Sequence, residues 1–497
     1  MLPTRLLQTL ACLAFIAMAA HAEAQTVPTE LPADYVNWCG IGEVLEFEDS
    51  ATAQRFIDAQ DDPGRFVRDG KVVFVRSPYP LIRSHIGANR NGSATSELRS
   101  IPFKFVRLNR RDELYWVDRE SGVGGDDGAQ RPDVNSKVSE LIGAKEPLSR
   151  IPFTRRLRVA VLDTGVFDHR EFERSGMRDS VLRSYSLNLD EVSSACANGD
   201  CCSEDLEQSA TSDPHATKVA GLIAAADDGT GISGLGEVAE LMSIPVLEAG
   251  HGCFSRRRLV AAYRCAVRRG ADIVNISMQS EPRSARPVDL ERAIERRDAS
   301  RQPQQAGTLV VVAAGNRFCN FDADKCGVWP GEMSLPNVIS VEALQTSLER
   351  VPSSNRGESI DISVPAPTDL GICTTTSQNR VNRDTQTCDD GYTRFGQTSA
   401  AAAIATGAAT RIWGHPNFDR CTAEQIRLVM RGYGRNIAQS VGSSCLLQVD
   451  FLYGVRRDNL LNTMNLCACP ELTETVKCGE FRETSLLCGG EVSRALP

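Results

Sequence analysis

The sequence predicts an α/β protein: a mostly parallel sheet with helices on both faces, preceded by a β-rich N-terminal region and followed by a short Cys-bearing C-terminal tail. Three observations predict it. From about residue 151, short β-branched runs alternate with helix-patterned runs, the alternation that builds parallel sheets. Val310, Val311 and Val312 form a continuous apolar run, as a strand buried on both faces requires. At 497 residues the chain exceeds one ordinary core, so flanking units are expected around that sheet.

Residues 1–24 read as a secretory signal peptide. Arg5 supplies the positive start, Thr9 to Ala20 the apolar run, and Ala20-His21-Ala22 or Ala22-Glu23-Ala24 the small residues at cleavage spacing. No later stretch approaches the ~18 apolar residues of a spanning helix. The protein is therefore expected outside the cytoplasm, either in a periplasm or beyond the cell. Cysteine usage agrees: of 17 cysteines, one (Cys12) lies in the leader and an even set remains, as disulfide formation in an oxidising compartment favours. Cys319 with Cys326, and Cys373 with Cys388, would staple local loops. Cys467, Cys469, Cys478 and Cys488 lack a paired Cys-x2-Cys spacing and have no histidine nearby, so disulfides are expected there rather than zinc.

Residues 25–150 form the β-rich region, read as either a propeptide or an accessory domain. Lys71 to Val75 and Phe103 to Val106 have strand composition, and the second run is expected to pair with Glu113 to Val117 across a polar turn. Ser121 to Asn135, rich in Gly and Asp, reads as a linker or exposed loop. In 151–464, strands are expected at Leu157 to Leu162, Ile273 to Ser277, Thr308 to Ala313 and Val338 to Val341, with helices at His215 to Ala226 and Leu259 to Gly270. Residues 465–497 are too few for a core of their own without disulfides. A net charge of −9 with no long basic run argues against a nucleic-acid partner or an anionic membrane surface.

Three segments carry chemistry. Arg158-Val-Ala-Val-Leu-Asp163-Thr-Gly165 is a hydrophobic strand ending in an acid and a glycine. Asp213-Pro-His215-Ala-Thr-Lys-Val-Ala-Gly221 sets a histidine at the start of a helix, and Gly396-Gln-Thr-Ser399 sets a serine just before an alanine run. A serine hydroxyl is a weak nucleophile and needs an adjacent base. Histidine titrates near neutral pH and supplies one. A carboxylate must then hold the imidazole in the right tautomer. Each residue alone has an ordinary structural explanation, as turn, helix start or cap; their joint occurrence in order does not.

These segments resemble the subtilisin-like peptidases (subtilases), whose chain order Asp, His, Ser is that of subtilisin. The resemblance runs from about 155 to about 463. It includes Val310-Val-Val-Ala-Ala-Gly-Asn316, similar to the strand that ends in the family's oxyanion asparagine, and Gly270-Ala-Asp-Ile-Val-Asn-Ile-Ser277, similar to its substrate-pairing strand. It implies a serine endopeptidase with Ser399 as nucleophile, His215 as base, Asp163 as its orienting acid and Asn316 in the oxyanion hole. It implies substrate binding along Ser277, Met278 and Gln279, with protein or peptide substrates and no cofactor required for the chemistry. An N-terminal propeptide that inhibits the enzyme until it is cut is common in the family, so self-inhibition by residues 25–150 is a further expectation. Ala226-Asp-Asp228-Gly-Thr-Gly-Ile-Ser-Gly234 aligns with the family's calcium loop, making Glu171 and Asp228 candidate ligands of a structural calcium.

The chain departs from the family pattern around its reacting groups. Ala216 and Lys218 replace a glycine and a histidine after His215. Gln397 replaces a glycine before Ser399, where backbone freedom matters. Gln279 stands where a glycine forms the pocket rim and should narrow or reshape the specificity pocket. These changes keep one rival in play, a non-catalytic or weakly active subtilase-like scaffold. An esterase lacks its Gly-x-Ser-x-Gly, and a zinc peptidase its His-Glu-x-x-His.

Overall fold

The computed structural model describes residues 41–58, 66–69, 72–76, 103–106, 114–116, 134–144, 153–173, 182–187, 202–204, 214–227, 231–236, 239–246, 254–280, 284, 286–300, 307–322, 326–377, 388, 391–437, 445–454 and 476–483. The expected signal peptide lies outside the described residues, as do Asp228 and the cysteines at 467, 469 and 488.

The N-terminal region contributes β1 (Ile41–Phe47), α1 (Ser50–Asp58), β2 (Phe66–Asp69), β3 (Val72–Arg76), β4 (Phe103–Val106) and β5 (Leu114–Trp116). The first four strands form an antiparallel sheet in the order β2-β3-β1-β4. Asp49 caps α1 by accepting from the Thr52 N–H at 2.7 Å, and the Phe47 ring packs tilted against Phe56 at 5.0 Å to close helix onto sheet. The expected hairpin between 103–106 and 113–117 does not form. β4 pairs with β1 instead, and β5 enters a separate sheet between two strands of the main domain. A three-residue strand bonded along both edges satisfies more backbone groups than one arm of a hairpin could.

The segment expected as a linker ends in a helix, α2 (Val134–Leu141), and the chain beyond Gly143 leads to β6 (Arg158–Asp163). Val138 and Ile142 are buried in the main core, and the Asn135 side chain bonds both the N–H and C=O of Cys373 at 2.9 Å. The main-domain core thus begins ahead of the boundary expected at 150.

Next come β7 (Leu182–Leu187), β8 (Cys202–Glu204), α3 (His215–Ala224), β9 (Glu240–Pro245), β10 (Phe254–Ser255), α4 (Arg256–Arg268), β11 (Ile273–Ile276) and β12 (Gln279–Ser280). They are followed by α5 (Val288–Ser300), β13 (Leu309–Ala313), β14 (Val338–Leu344), β15 (Ile362–Pro365), β16 (Ile372–Thr375), β17 (Tyr392–Phe395) and α6 (Gln397–Gly414). The chain closes with α7 (Ala423–Gly432), β18 (Arg435–Asn436), β19 (Cys445–Leu446) and α8 (Glu480–Glu483).

The large sheet has ten strands in the order β18-β19-β15-β14-β13-β11-β6-β9-β7-β8. Its interior pairings are parallel, and only the two outermost are antiparallel. Alternate residues face opposite layers. Val159, Val161, Val311 and Val341 pack with α3 and α6; Ala160, Leu162, Val310 and Val312 pack with α4 and α5. The alanines of α6 allow the helix to lie close on the sheet, all of Ala400 to Ala403 being fully buried.

Disulfides join Cys319 to Cys326 and Cys373 to Cys388, the two expected local staples, and also Cys202 to Cys265 and Cys445 to Cys478. The last one holds the C-terminal tail, where Phe481 packs edge-on against Tyr433 at 5.4 Å.

The strand order reverses at β6. The chain leaves it toward β7 and β9 on one side, then crosses to β11, β13 and β14 on the other. Clefts in open parallel sheets form at the carboxyl ends of strands flanking such a reversal. Asp163 ends β6, and Ser277 follows β11 at that edge.

Candidate active site

Asp163 is fully buried at the end of its strand, and both of its carboxylate oxygens lie 2.9 Å from His215 Nδ1. Oδ1 also accepts the Thr164 N–H at 2.7 Å. The Thr164 hydroxyl accepts the Ala216 N–H at 2.9 Å, tying the start of α3 to the strand end. His215 is therefore fixed at the first position of α3 with its Nδ1 edge turned to the acid. Its ring meets the edge of Phe395 at 5.3 Å, and Lys218, which replaces the family histidine, lies with its ammonium 5.4 Å from that same aromatic ring.

Ser399 is the third residue of α6, so its backbone N–H belongs to the first turn, whose donors have no partner within the helix. Its hydroxyl donates to the Ser277 carbonyl at 3.3 Å. The Asn275 amide, fully buried, donates to Thr406 on α6 at 2.9 Å and accepts from the Ser277 hydroxyl at 2.9 Å, fastening β11 to the serine helix.

Asn316 follows β13 and Gly315, whose φ of +97° turns the chain away from the sheet. Its Oδ1 accepts two bonds from Thr398, from the hydroxyl at 2.9 Å and from the N–H at 3.2 Å. Of the two amide atoms only the oxygen can accept a backbone N–H, so the amide orientation is fixed and the donor Nδ2 is the end turned from Thr398.

The residues expected along the substrate divide. Ser277 borders Ser399. Met278 turns its side chain into the core under the sheet. Gln279 pairs through its backbone with Trp116 of β5, while its buried side chain accepts the Asn316 N–H at 3.0 Å. Gln397, the second departure from the family, adopts φ +60°, the left-handed conformation that glycine would enter freely.

Glu171 is buried and accepts the Tyr392 hydroxyl, toward which the Arg170 guanidinium also donates at 2.9 and 3.0 Å. Burial, reinforced by the Glu171 carboxylate, pushes the Tyr392 phenol up to about 12. Gly231 of the expected calcium loop sits so near Glu171 that a Cβ there would run into its carboxylate, so loop and acid are in contact. Asp227 accepts from Ser233 at 2.9 Å. Among the described residues no group of three or more His, Cys, Asp or Glu side chains converges. One hard carboxylate beside a glycine turn is compatible with calcium, whose remaining ligands would come from backbone carbonyls and water.

Sequence reasoning did not find Thr398 as the residue that orients Asn316, Phe395 as the wall of the His215 ring, or β5 as the strand beside Gln279. Thr398 adjoins Ser399 and could have been inferred from that position alone.

Residues 154–439 match the model of the subtilase family of peptidases. The chain belongs to the subtilase family. As a member it is a serine-type endopeptidase. The thermostable alkaline protease of Halalkalibacterium halodurans is 28% identical over 335 residues, 67% of this chain and 77% of that protein. Subtilisin DY of Bacillus licheniformis is 27% identical over 227 residues, 46% of this chain and 72% of its own length. The major intracellular serine protease of Bacillus subtilis is 26% identical over 330 residues, covering 65% and 88%. Among solved structures, a lanthipeptide protease superposes with a TM-score of 0.49 at 19% identity, over 66% of this chain and 96% of its own. Fervidolysin from Fervidobacterium pennivorans gives 0.46 at 18%, over 83% and 61%.

Proposed function

We propose that this subtilase is an exported endopeptidase that cuts peptide bonds through Ser399, His215 and Asp163 by way of an acyl-enzyme, and is made as a self-inhibited zymogen. The observation that carries the reading is the buried Asp163–His215 pair, with both carboxylate oxygens 2.9 Å from Nδ1. That contact favours the tautomer with Nδ1 protonated, leaving Nε2 as the base. Ser399 gives its proton to Nε2 as its oxygen attacks the scissile carbonyl. A hydroxyl has one proton, so its bond to the Ser277 carbonyl must yield first. The oxyanion would be met by Asn316 Nδ2 and the Ser399 N–H, at the positive end of α6. His215 returns the proton to the leaving amine, and water then releases the acyl group by the same steps.

Self-inhibition is supported by β5, which runs antiparallel between β10 and β12 and pairs Trp116 with Gln279. An extended peptide substrate would take the same backbone bonds. We place the division between the removable region and the enzyme after β5 and before α2, since α2 packs into the enzyme core. Export is supported by the leader-like N-terminus and the disulfides. Among the described residues no helix is long and apolar enough to cross a membrane. A calcium ion held by Glu171 and the 226–234 loop would stabilise the fold without entering the chemistry.

The test is labelling by a fluorophosphonate, beside a Ser399→Ala variant. The wild-type chain should shorten from its N-terminus and then label; the variant should stay full length and unlabelled. A folded, processed wild-type protein that does not label would overturn the catalytic reading in favour of a scaffold.

A further inference from the structure

The register of β5 shows where a substrate side chain must go. Trp116 stands opposite Gln279 in an antiparallel pair. A peptide bound in that register reaches Ser277 two residues later, and the Ser277 carbonyl is the group that Ser399 touches. The residue opposite Ser277 is thus the one whose carbonyl Ser399 attacks. Directly opposed residues on an antiparallel pair share a face, and so do residues two apart on one strand. Its side chain is therefore directed to the face that Gln279 occupies, into the gap between β12 and the Gly315–Asn316 turn.

That gap is filled. With β5 seated on β12, the Gln279 side chain spans it to bond the Asn316 N–H at 3.0 Å. Val328, fully buried, reaches the same space beside Gly315. A Cβ built on Gly315 would lie 2.7 Å from both Gln279 Oε1 and Asn355 Nδ2 and 3.0 Å from Val328 Cγ1, so side chains already occupy the space beside the glycine that borders the gap. A large incoming side chain would have to break a buried hydrogen bond to the residue that carries the oxyanion donor, or overpack a closed interior.

We propose that Gln279 and Val328 close the specificity pocket against Gly315 and restrict the residue on the acyl side of the scissile bond to Gly, Ala or Ser. This rests on the assignment of Ser399 as nucleophile. Processed wild-type enzyme, first titrated with a fluorophosphonate, is given a peptide series that differs only at this residue: Ala, Ser, Leu, Phe and Arg. Ala and Ser should be cut with kcat/KM about 100-fold or more above Leu, Phe and Arg. Gln279→Gly, alone and with Val328→Ala, should raise the Leu-to-Ala and Phe-to-Ala ratios by at least about 10-fold, with thermal melts checking that each variant folds. Wild-type cleavage after Leu or Phe at the rate of Ala, in enzyme that labels normally, would overturn the pocket inference alone. Absence of labelling is the separate failure of Ser399 as nucleophile.

Discussion

Thr398 holds Asn316 by two bonds to a single oxygen, one from its hydroxyl at 2.9 Å and one from its backbone at 3.2 Å. An oxyanion donor is useful only if it is aimed before the charge develops. Asn316→Ala should lower kcat by about 10²–10³ with little change in KM, the factor known for the corresponding donor of subtilisin. Thr398→Val removes one of two orienting bonds and should cost about 10-fold in kcat, restored by Thr398→Ser. A Thr398→Val loss that serine does not rescue would assign the residue to packing instead.

Gln397 sits at φ +60° two residues before Ser399, the proposed nucleophile. A non-glycine residue there costs roughly 1–2 kcal/mol, while glycine loses about 0.5–1 kcal/mol more chain entropy on folding. Gln397→Gly should therefore stabilise the fold by up to about 1.5 kcal/mol, read as a raised Tm in a Ser399→Ala background. The geometry thus accommodates the substitution that the motif made doubtful. A lowered Tm would mean that the glutamine side chain makes compensating contacts.

The parts legible in the sequence were those with a period or an ordered motif. Strands such as 309–313 are continuously apolar because both faces are covered; Asp163 ends a strand, and His215 and Ser399 lie in the first turn of helices. What escaped was non-local. A three-residue strand such as β5 holds no information about its partner, so the sequence points only to the nearest run, 103–106. α2 was masked by the Gly- and Asp-rich stretch before it, although Val134, Val138, Leu141 and Ile142 are spaced as one helical face. Gln279 was legible as bulk at the pocket rim, but not its bond to Asn316, which depends on two segments 37 residues apart.

Calcium is expected to act on stability. A ligand bound only by the folded state at a hundredfold excess over Kd stabilises by about 2.7 kcal/mol. Millimolar calcium should raise Tm relative to EDTA, and Glu171→Gln should remove most of that difference. Equal melting in calcium and EDTA would show that the Arg170–Tyr392–Glu171 cluster serves in place of a cation.

Glu342, in the middle of β14, is fully buried and accepts the Ser363 hydroxyl at 2.6 Å. Burial pushes its carboxyl up from 4.5 to about 8, against the opposing pull of Ser363 and Arg350. The folded protein therefore keeps this proton where the unfolded chain has lost it. Its contribution is complete below the unfolded value of 4.5 and is lost as pH rises through about 8, at most about 5 kcal/mol in all. Glu342→Gln keeps an oxygen for Ser363 and removes the titration. Measured by denaturant unfolding in a Ser399→Ala background, the variant should gain on the parent steadily between pH 5 and 8.5. Parallel profiles across that range would show that Glu342 is ionised in the fold, its charge met by Arg350.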